Sequence, residues 1–291
     1  MNALVFGING QDGFYLSQLL NKKEIKVIGI SRSDGNWIKG NVADYSFVEE
    51  VIKSYSPDYI FHFAANSTTR HDAVLENHDS ITTGTLNILE SCYKYSKHSK
   101  IFLSGSAVQF ENKGIPINES TPFAPLSPYA VSRIAAVYSG RYYRSLGLKV
   151  YVGYFFNHDS PLRSDRHINK KIISTVKRIS EGSKEILEIG DITAKKEFNF
   201  AGDFMEAIWM LVNQDFFFEA VIGSGKAYAI QDWIKICFDM VNLDWSNYIR
   251  KKEGFVTEYE ILVSDPRLIK SIDWEPAMGI NELAGLMFTN N

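Results

Sequence analysis

The first 156 residues alternate between two apolar rhythms, and few architectures accommodate that alternation. Short runs rich in β-branched and aromatic residues stand at Ala3–Phe6, Lys26–Ser31, Tyr59–Ala64, Ile101–Ser104 and Val150–Phe156. Helical periodicity fills the gaps at Phe14–Lys22, Phe47–Tyr55, Gly84–Tyr95 and Tyr129–Leu146. Strands apolar on both faces, separated by helices, call for a parallel sheet covered on either side. The expected class is α/β, a Rossmann-type doubly wound parallel sheet. From Asn157 the rhythm changes: a basic stretch (Arg163 to Lys184) reads as a solvated face. A strand near Leu187–Ile189, a helix over Asp203–Val212, a strand at Ala220–Ile222 and a helix over Ile230–Val241 follow. The expected division is a first domain over 1–156 and a smaller α/β lobe over 157–291, interleaved with the end of the sheet. Phe216-Phe-Phe218 reads as core or lobe packing.

Gly7-Ile-Asn9-Gly10-Gln11-Asp12-Gly13 lies between the first strand and the first helix. Glycines at these three positions permit a tight turn, close approach of a pyrophosphate and close helix packing. The helix N-terminus then presents partial positive charge to the phosphates. A plain strand-to-helix turn is the bland alternative; the placement at the chain start favours a dinucleotide. After the second strand stands Arg32, where an acidic residue would bind the ribose hydroxyls of NAD. It pairs with the 2′-phosphate of NADP or is a solvated strand-end arginine. NADP is favoured, with NAD as the alternative. Asn41 and Val42 are candidates to flank the adenine, and the small Ala64 and Ala65 suit a backbone beside a cofactor. Residues 1–156 are thus read as an NAD(P)-binding domain and 157–291 as a substrate-binding lobe.

Composition narrows the partners. The net charge of -3 argues against a nucleic-acid or anionic-membrane surface, so an anionic small molecule must be held by a few placed cations. Cys92 and Cys237 form no metal or redox pattern, and the histidines show no metal spacing, so no metal site is expected. No apolar run reaches membrane-spanning length, and the expected location is the cytoplasm. His62, inside an apolar strand, reads as a satisfied core histidine; His158 either faces substrate or orients its loop.

Several segments together resemble the extended short-chain dehydrogenase/reductases (the NAD-dependent epimerase/dehydratase family), and among them the GDP-mannose 4,6-dehydratase family. They are the glycine turn through Leu16, Ser127-Pro-Tyr129-Ala-Val131, Phe155-Phe-Asn157-His-Asp-Ser-Pro161, Asn169-Lys-Lys171-Ile, Asp265-Pro and Trp274-Glu-Pro276. The resemblance spans nearly the whole chain. It implies a GDP-sugar substrate, Tyr129 as acid/base at the sugar C4 oxygen, hydride exchange at C4, and Asn157 and Lys171 on the nucleoside diphosphate-sugar. Polysaccharide precursor synthesis is the implied setting. Arg163, Arg166 and Lys171 are the expected phosphate contacts of the basic stretch.

The chain also departs from that pattern. Aligned on Ser104-Gly-Ser106-Ala-Val-Gln-Phe110, Gly105 takes the position of the family's hydroxyl and Ala107 that of its glutamate; Ser104 or Ser106 supplies a hydroxyl if the backbone is shifted. Arg133 replaces the lysine one helical turn after Tyr129. It keeps a cation that favours phenolate, but it cannot release a proton to a relay. It is also a candidate ribose contact. Lys196 and Phe255 fall where substrate-gripping arginines are expected. Elimination of water across C5 and C6 needs a base and an acid, and hydride transfer at C4 does not. The reading is therefore a nucleotide-sugar enzyme of the dehydratase type acting at C4. The alternatives are a 4-keto-6-deoxy-sugar reductase and a weakly active cofactor-binding partner in a sugar-pathway complex. A short loop from Ser33 to Gly40 leads to the expectation of a homodimer through the helices near Gly84–Tyr95 and Tyr129–Leu146.

Overall fold

The computed structural model describes residues 1–255, 257 and 259–290. Seven parallel strands form the central sheet: β1 (Asn2–Phe6), β2 (Lys26–Ser31), β3 (Ile38–Lys39), β4 (Tyr59–His62), β5 (Lys100–Ser106), β6 (Lys149–Phe155) and β7 (Glu219–Ile222). Their order is β7-β6-β5-β4-β1-β2-β3. The chain walks outward from β1 to β3, then returns to the other side of β1 with β4. That reversal opens a crevice at the carboxyl ends of β1 and β4, where ligands bind in open α/β sheets.

Side-chain alternation along β1 divides the core. Leu4 and Phe6 pack toward helices α2 (Tyr45–Tyr55), α3 (Gly84–Tyr95) and α4 (Pro128–Ser145). Ala3 and Val5 pack toward α1 (Gln11–Lys22) and α6 (Ala201–Val212). Both β7 and α6 come from beyond residue 157, so the second half of the chain completes the first sheet. A separate core joins α5 (Ile168–Ser180), α7 (Ile230–Asp239) and α8 (Ile280–Thr289) through Ile172, Val176, Trp233, Phe238 and Met287.

Three expectations need correction. The basic stretch is more than a solvated face: it contains α5, whose Ile172, Ile173 and Val176 are fully buried. The lysines mask an apolar stripe at helical spacing. Phe216 is 88% exposed, whereas Phe217 and Phe218 pack against the core, because only the latter two lead directly into β7. Finally, β5 runs on to Ser106, two residues past the expected end, and that extension shapes the site. Among the described residues, no helix is long and apolar enough to cross a membrane.

Candidate active site

The glycine turn behaves as its spacing requires. Gly7 has φ +88°, and a Cβ on it would stand 2.7 Å from the Ala64 nitrogen. One on Gly13 would stand 2.5 Å from the Gly7 oxygen, so α1 lies tight against the turn. Gly10 caps α1 without any side-chain hydrogen bond, and a Cβ there would approach only the Gly7 oxygen, at 3.4 Å. The first-turn N–H groups of α1 therefore face an open cradle that a larger cap would fill. A dinucleotide fits this cradle: two cavities meet at Gly7, Gly10, Phe63 and Ala65, one of about 260 Å³ and the other of about 220 Å³.

The first cavity is lined by Asn9, Ser31, Arg32, Ser33, Asn41, Val42 and Ala64. Asn9 Nδ2 donates to the Ser33 hydroxyl at 3.1 Å, and the Ser31 and Ser33 hydroxyls lie 3.1 Å apart. Arg32 turns to Glu76, with Nη2 2.7 Å from Oε1. Val42 is buried beneath Gly84, while the Asn41 side chain accepts from the Ala43 N–H.

The second cavity holds Tyr129, Arg133, Ser104, Ser106 and Asn157 together with Gln11 and Asp12. Arg133 is buried, and its Nη1 donates to both the carbonyl (2.5 Å) and the hydroxyl (2.7 Å) of Ser104. That hydroxyl donates in turn to the His62 carbonyl at 2.9 Å. The Arg133 guanidinium carbon also lies 5.1 Å from the Tyr129 ring centroid. The ribose role expected of Arg133 thus competes with an anchoring role at the end of β5. His62 is a core residue, but its ring nitrogens have no aligned hydrogen-bond partner among the described residues. Burial and the nearby Arg133 push its pKa down to about 3, so it stays neutral.

The end of β5 revises the position of the hydroxyl. A Cβ on Gly105 would lie 2.6 Å from Tyr154 Cδ1 and 3.0 Å from Gln109 Oε1. Position 105 therefore points into the packed side of the strand, and a threonine there would displace the Tyr154 ring. Ser104 and Ser106 share the opposite face because side chains alternate along a strand. Ser106 lines the cavity with no backbone shift, its N–H held by Gln109 Oε1 at 2.6 Å. Moving the hydroxyl from 105 to 106 moves the glutamate position from Ala107 to Val108, equally apolar. Glu111 lines an adjoining cavity that meets this one at Ala107, Val108 and Leu262, and there it pairs with Lys113 at 2.9 Å.

Residues 156–163 close the cavity against α1. Gln11 Nε2 donates to the His158 carbonyl at 3.3 Å, and Ser160 donates to Gln11 Oε1 at 3.0 Å. His158 Nε2 lies 3.0 Å from Asp12 Oδ1, and its Nδ1 lies 2.9 Å from the Phe156 carbonyl. This histidine thus ties its loop to the glycine turn. Burial raises the Asp12 carboxyl, yet the charge and hydrogen bond of His158, with Arg163, outweigh it and hold the group below its usual value. Asn157 has a buried side-chain oxygen with no protein partner among the described residues. Arg163 pairs with Asp159 at 3.2 Å. Lys196 is buried in a neighbouring cavity with Phe255, and burial pushes its pKa down to about 8. Lys171 is exposed on α5 and lines none of these cavities, whereas Lys170 is buried and donates to the Pro161 carbonyl. The helical rotation between adjacent positions turns 171 outward.

A family model described as GDP-mannose 4,6 dehydratase matches residues 4–287. The chain belongs to this family. It is 29% identical to GDP-mannose 4,6 dehydratase 1 of Arabidopsis thaliana, over 98% of this chain and 88% of that one. The same architecture occurs in dTDP-glucose 4,6-dehydratase from Bacillus anthracis in complex with NAD. There the TM-score is 0.87 and the identity 21%, over 100% of this chain and 96% of that one. It also occurs in RMD from Pseudomonas aeruginosa complexed with NADPH. The TM-score is 0.86 and the identity 20%, over 99% and 98% of the two chains. In this chain the apolar Ala107-Val108 pair stands beside Ser106 in the cavity, and Arg133 beside Tyr129. Sequence reasoning missed the tie between Asp12 and His158; their proximity arises only when α1 and the loop after β6 meet.

Proposed function

We propose that the chain is a nicotinamide-dependent enzyme acting at C4 of a GDP-linked hexose. The observation that carries this reading is the make-up of the Tyr129 cavity. It combines the glycine cradle, the Tyr129 phenol, the Ser106 hydroxyl and a buried guanidinium, with Asp12 as the one carboxylate among its described lining residues. The nicotinamide, when bound, supplies or accepts the hydride. Tyr129 passes a proton between its phenolic oxygen and the C4 oxygen, and Ser106 donates a hydrogen bond to that oxygen. Arg133 lies beside the Tyr129 ring and holds the end of β5 through Ser104. Asn157 offers its buried oxygen to a donor on the substrate. Arg163 and Lys196 supply positive charge toward the diphosphate, and Lys171 remains outside the cavity walls.

Asp12 is engaged by His158, and neither Ala107 nor Val108 can remove a C5 proton or protonate a departing hydroxyl. That favours the second reading, reduction of a GDP-4-keto-6-deoxy sugar, over loss of water. Purified protein is incubated with NADPH or NADH and GDP-4-keto-6-deoxy-mannose, and separately with NADP+ or NAD+ and GDP-mannose. The products are weighed by mass spectrometry. Gain of two hydrogens by the keto-sugar is the expected result. Loss of water from GDP-mannose would establish a dehydratase that uses another acid. No change in either mixture would overturn both enzymatic readings in favour of a cofactor-binding partner.

The reading includes a homodimer formed through α3 and α4. Leu86, Val131, Tyr138 and Tyr142 expose apolar surface on these helices, the last three two turns and then one turn apart along one face of α4. Light scattering is expected to return the mass of two chains; a monomer or a tetramer would reject this part.

A further inference from the structure

Arg32 is the one cation among the described residues lining the cavity that contains Asn9 and the Ser31 and Ser33 hydroxyls. Recognition of a 2′-phosphate at the end of β2 rests on such a cation. Its guanidinium is already engaged: Nη2 lies 2.7 Å from Glu76 Oε1. Glu76 is 40% exposed, yet both of its oxygens are engaged. Its Oε2 accepts from Asn66 Nδ2 at 2.7 Å, and Asn66 follows directly on Ala64 and Ala65, which line the same cavity. Hydrogen bonds from Arg32 and Asn66 hold the Glu76 carboxyl below its usual range, so it is anionic at working pH.

We infer that Glu76 sets the choice between NAD and NADP by neutralising Arg32. The inference rests on the nicotinamide-dependent reading above. A 2′-phosphate must either break the Arg32–Glu76 pair or lie beside an anion that Asn66 keeps in place. Both lower the preference for NADP. A ribose with free hydroxyls carries no such charge. It meets a neutral ion pair and the hydroxyl and amide groups of Ser31, Ser33 and Asn9. Asp34, the carboxylate that follows β2, pairs with Lys39 at 2.9 Å and does not line the cavity, and Glu76 provides a carboxylate's electrostatic effect from a different segment of the chain.

The test is equilibrium binding of NAD+ and NADP+, followed by quenching of intrinsic fluorescence, for the wild type, Glu76→Gln and Glu76→Gln/Arg32→Ala. The glutamine keeps the shape of the side chain and an oxygen for Arg32 or Asn66, while the charge is lost. The wild type is expected to bind NAD+ at least as tightly as NADP+. In Glu76→Gln the NADP+ affinity is expected to rise about tenfold with NAD+ changed by less than about threefold, the scale of one charge-assisted contact. The double variant is expected to lose that gain. An NADP+/NAD+ ratio within about threefold of wild type in Glu76→Gln would overturn the inference and leave the cofactor reading intact. Failure of wild-type protein to bind either dinucleotide would overturn the underlying reading. Circular dichroism of each variant separates misfolding from altered recognition.

Discussion

Tyr129→Phe is expected to lower turnover by about 10²–10⁴-fold, the range spanned by loss of a positioned acid/base. The phenol is half-buried in the cavity that contains Ser106 and Arg133, and its hydroxyl makes no hydrogen bond to a described residue. Removing the oxygen therefore breaks no structural contact, and the stability should change by less than about 0.5 kcal/mol. The ring remains for the Arg133 guanidinium to stack on. Cofactor affinity should stay near the wild-type value, because the glycine turn and Arg32 are untouched. Steady-state kinetics with the keto-sugar, paired with a dinucleotide titration, separates the two effects. Turnover above about a tenth of wild type would remove Tyr129 from the proton-transfer role.

The second large effect lies behind the site. Glu219 on β7 accepts from Arg141 Nε at 2.9 Å and Nη2 at 2.7 Å, from Arg144 Nη1 at 3.0 Å and from the Tyr154 hydroxyl at 2.6 Å. Both arginines belong to α4, the helix that carries Tyr129, and Tyr154 is the ring against which Gly105 packs. Glu219→Ala leaves two guanidinium groups and a buried phenol without their common acceptor. It should cost about 2–3 kcal/mol in urea denaturation, below the scale for breaking a fully buried pair because Arg141 is 40% and Arg144 22% exposed. A loss below about 1 kcal/mol would mean that water replaces the carboxylate.

The same network predicts an acid response. Burial raises the Glu219 carboxyl, but the hydrogen bonds from Arg141, Tyr154 and Arg144 dominate and bring its pKa down from 4.5 to about 2. A folded-state value below the unfolded one stabilises the native chain above the unfolded pKa. The contribution is complete above pH 4.5 and falls away as pH drops toward 2. After a discount for partial exposure it is on the order of 2 kcal/mol. Urea midpoints of wild type should decline between those limits more steeply than those of Glu219→Gln, which has no proton to bind.

The glycine turn was legible because its constraint is local. A positive φ at Gly7 and a bare cap at Gly10 are properties of the backbone within one turn. The strand runs were legible because strands buried on both faces need uninterrupted apolar side chains. Which residue at the end of β5 presents its hydroxyl to the cavity was not legible. A one-residue slip reverses the face that each side chain uses, and only the Tyr154 ring beneath Gly105 fixes which face is which. That Lys171 is exposed and Lys170 buried was not legible for the same kind of reason, since adjacent helical positions diverge and the buried stripe of α5 turns Lys170 inward. The engagement of Arg32 by Glu76 joins residues 44 apart, and no local pattern signals it.

The amino-acid sequence by itself determined the sheet-and-helix alternation, the dinucleotide cradle and the family to which the chain belongs. The first two follow from short-range backbone geometry and side-chain period, and the family from the resemblance of short motifs. The tertiary structure decided what the cations and hydroxyls do. Arg133 anchors Ser104, Ser106 faces the cavity, Arg32 pairs with Glu76, and His158 bonds Asp12. Those roles depend on distances between segments far apart in the chain, and packing of the sheet against its helices is what sets those distances.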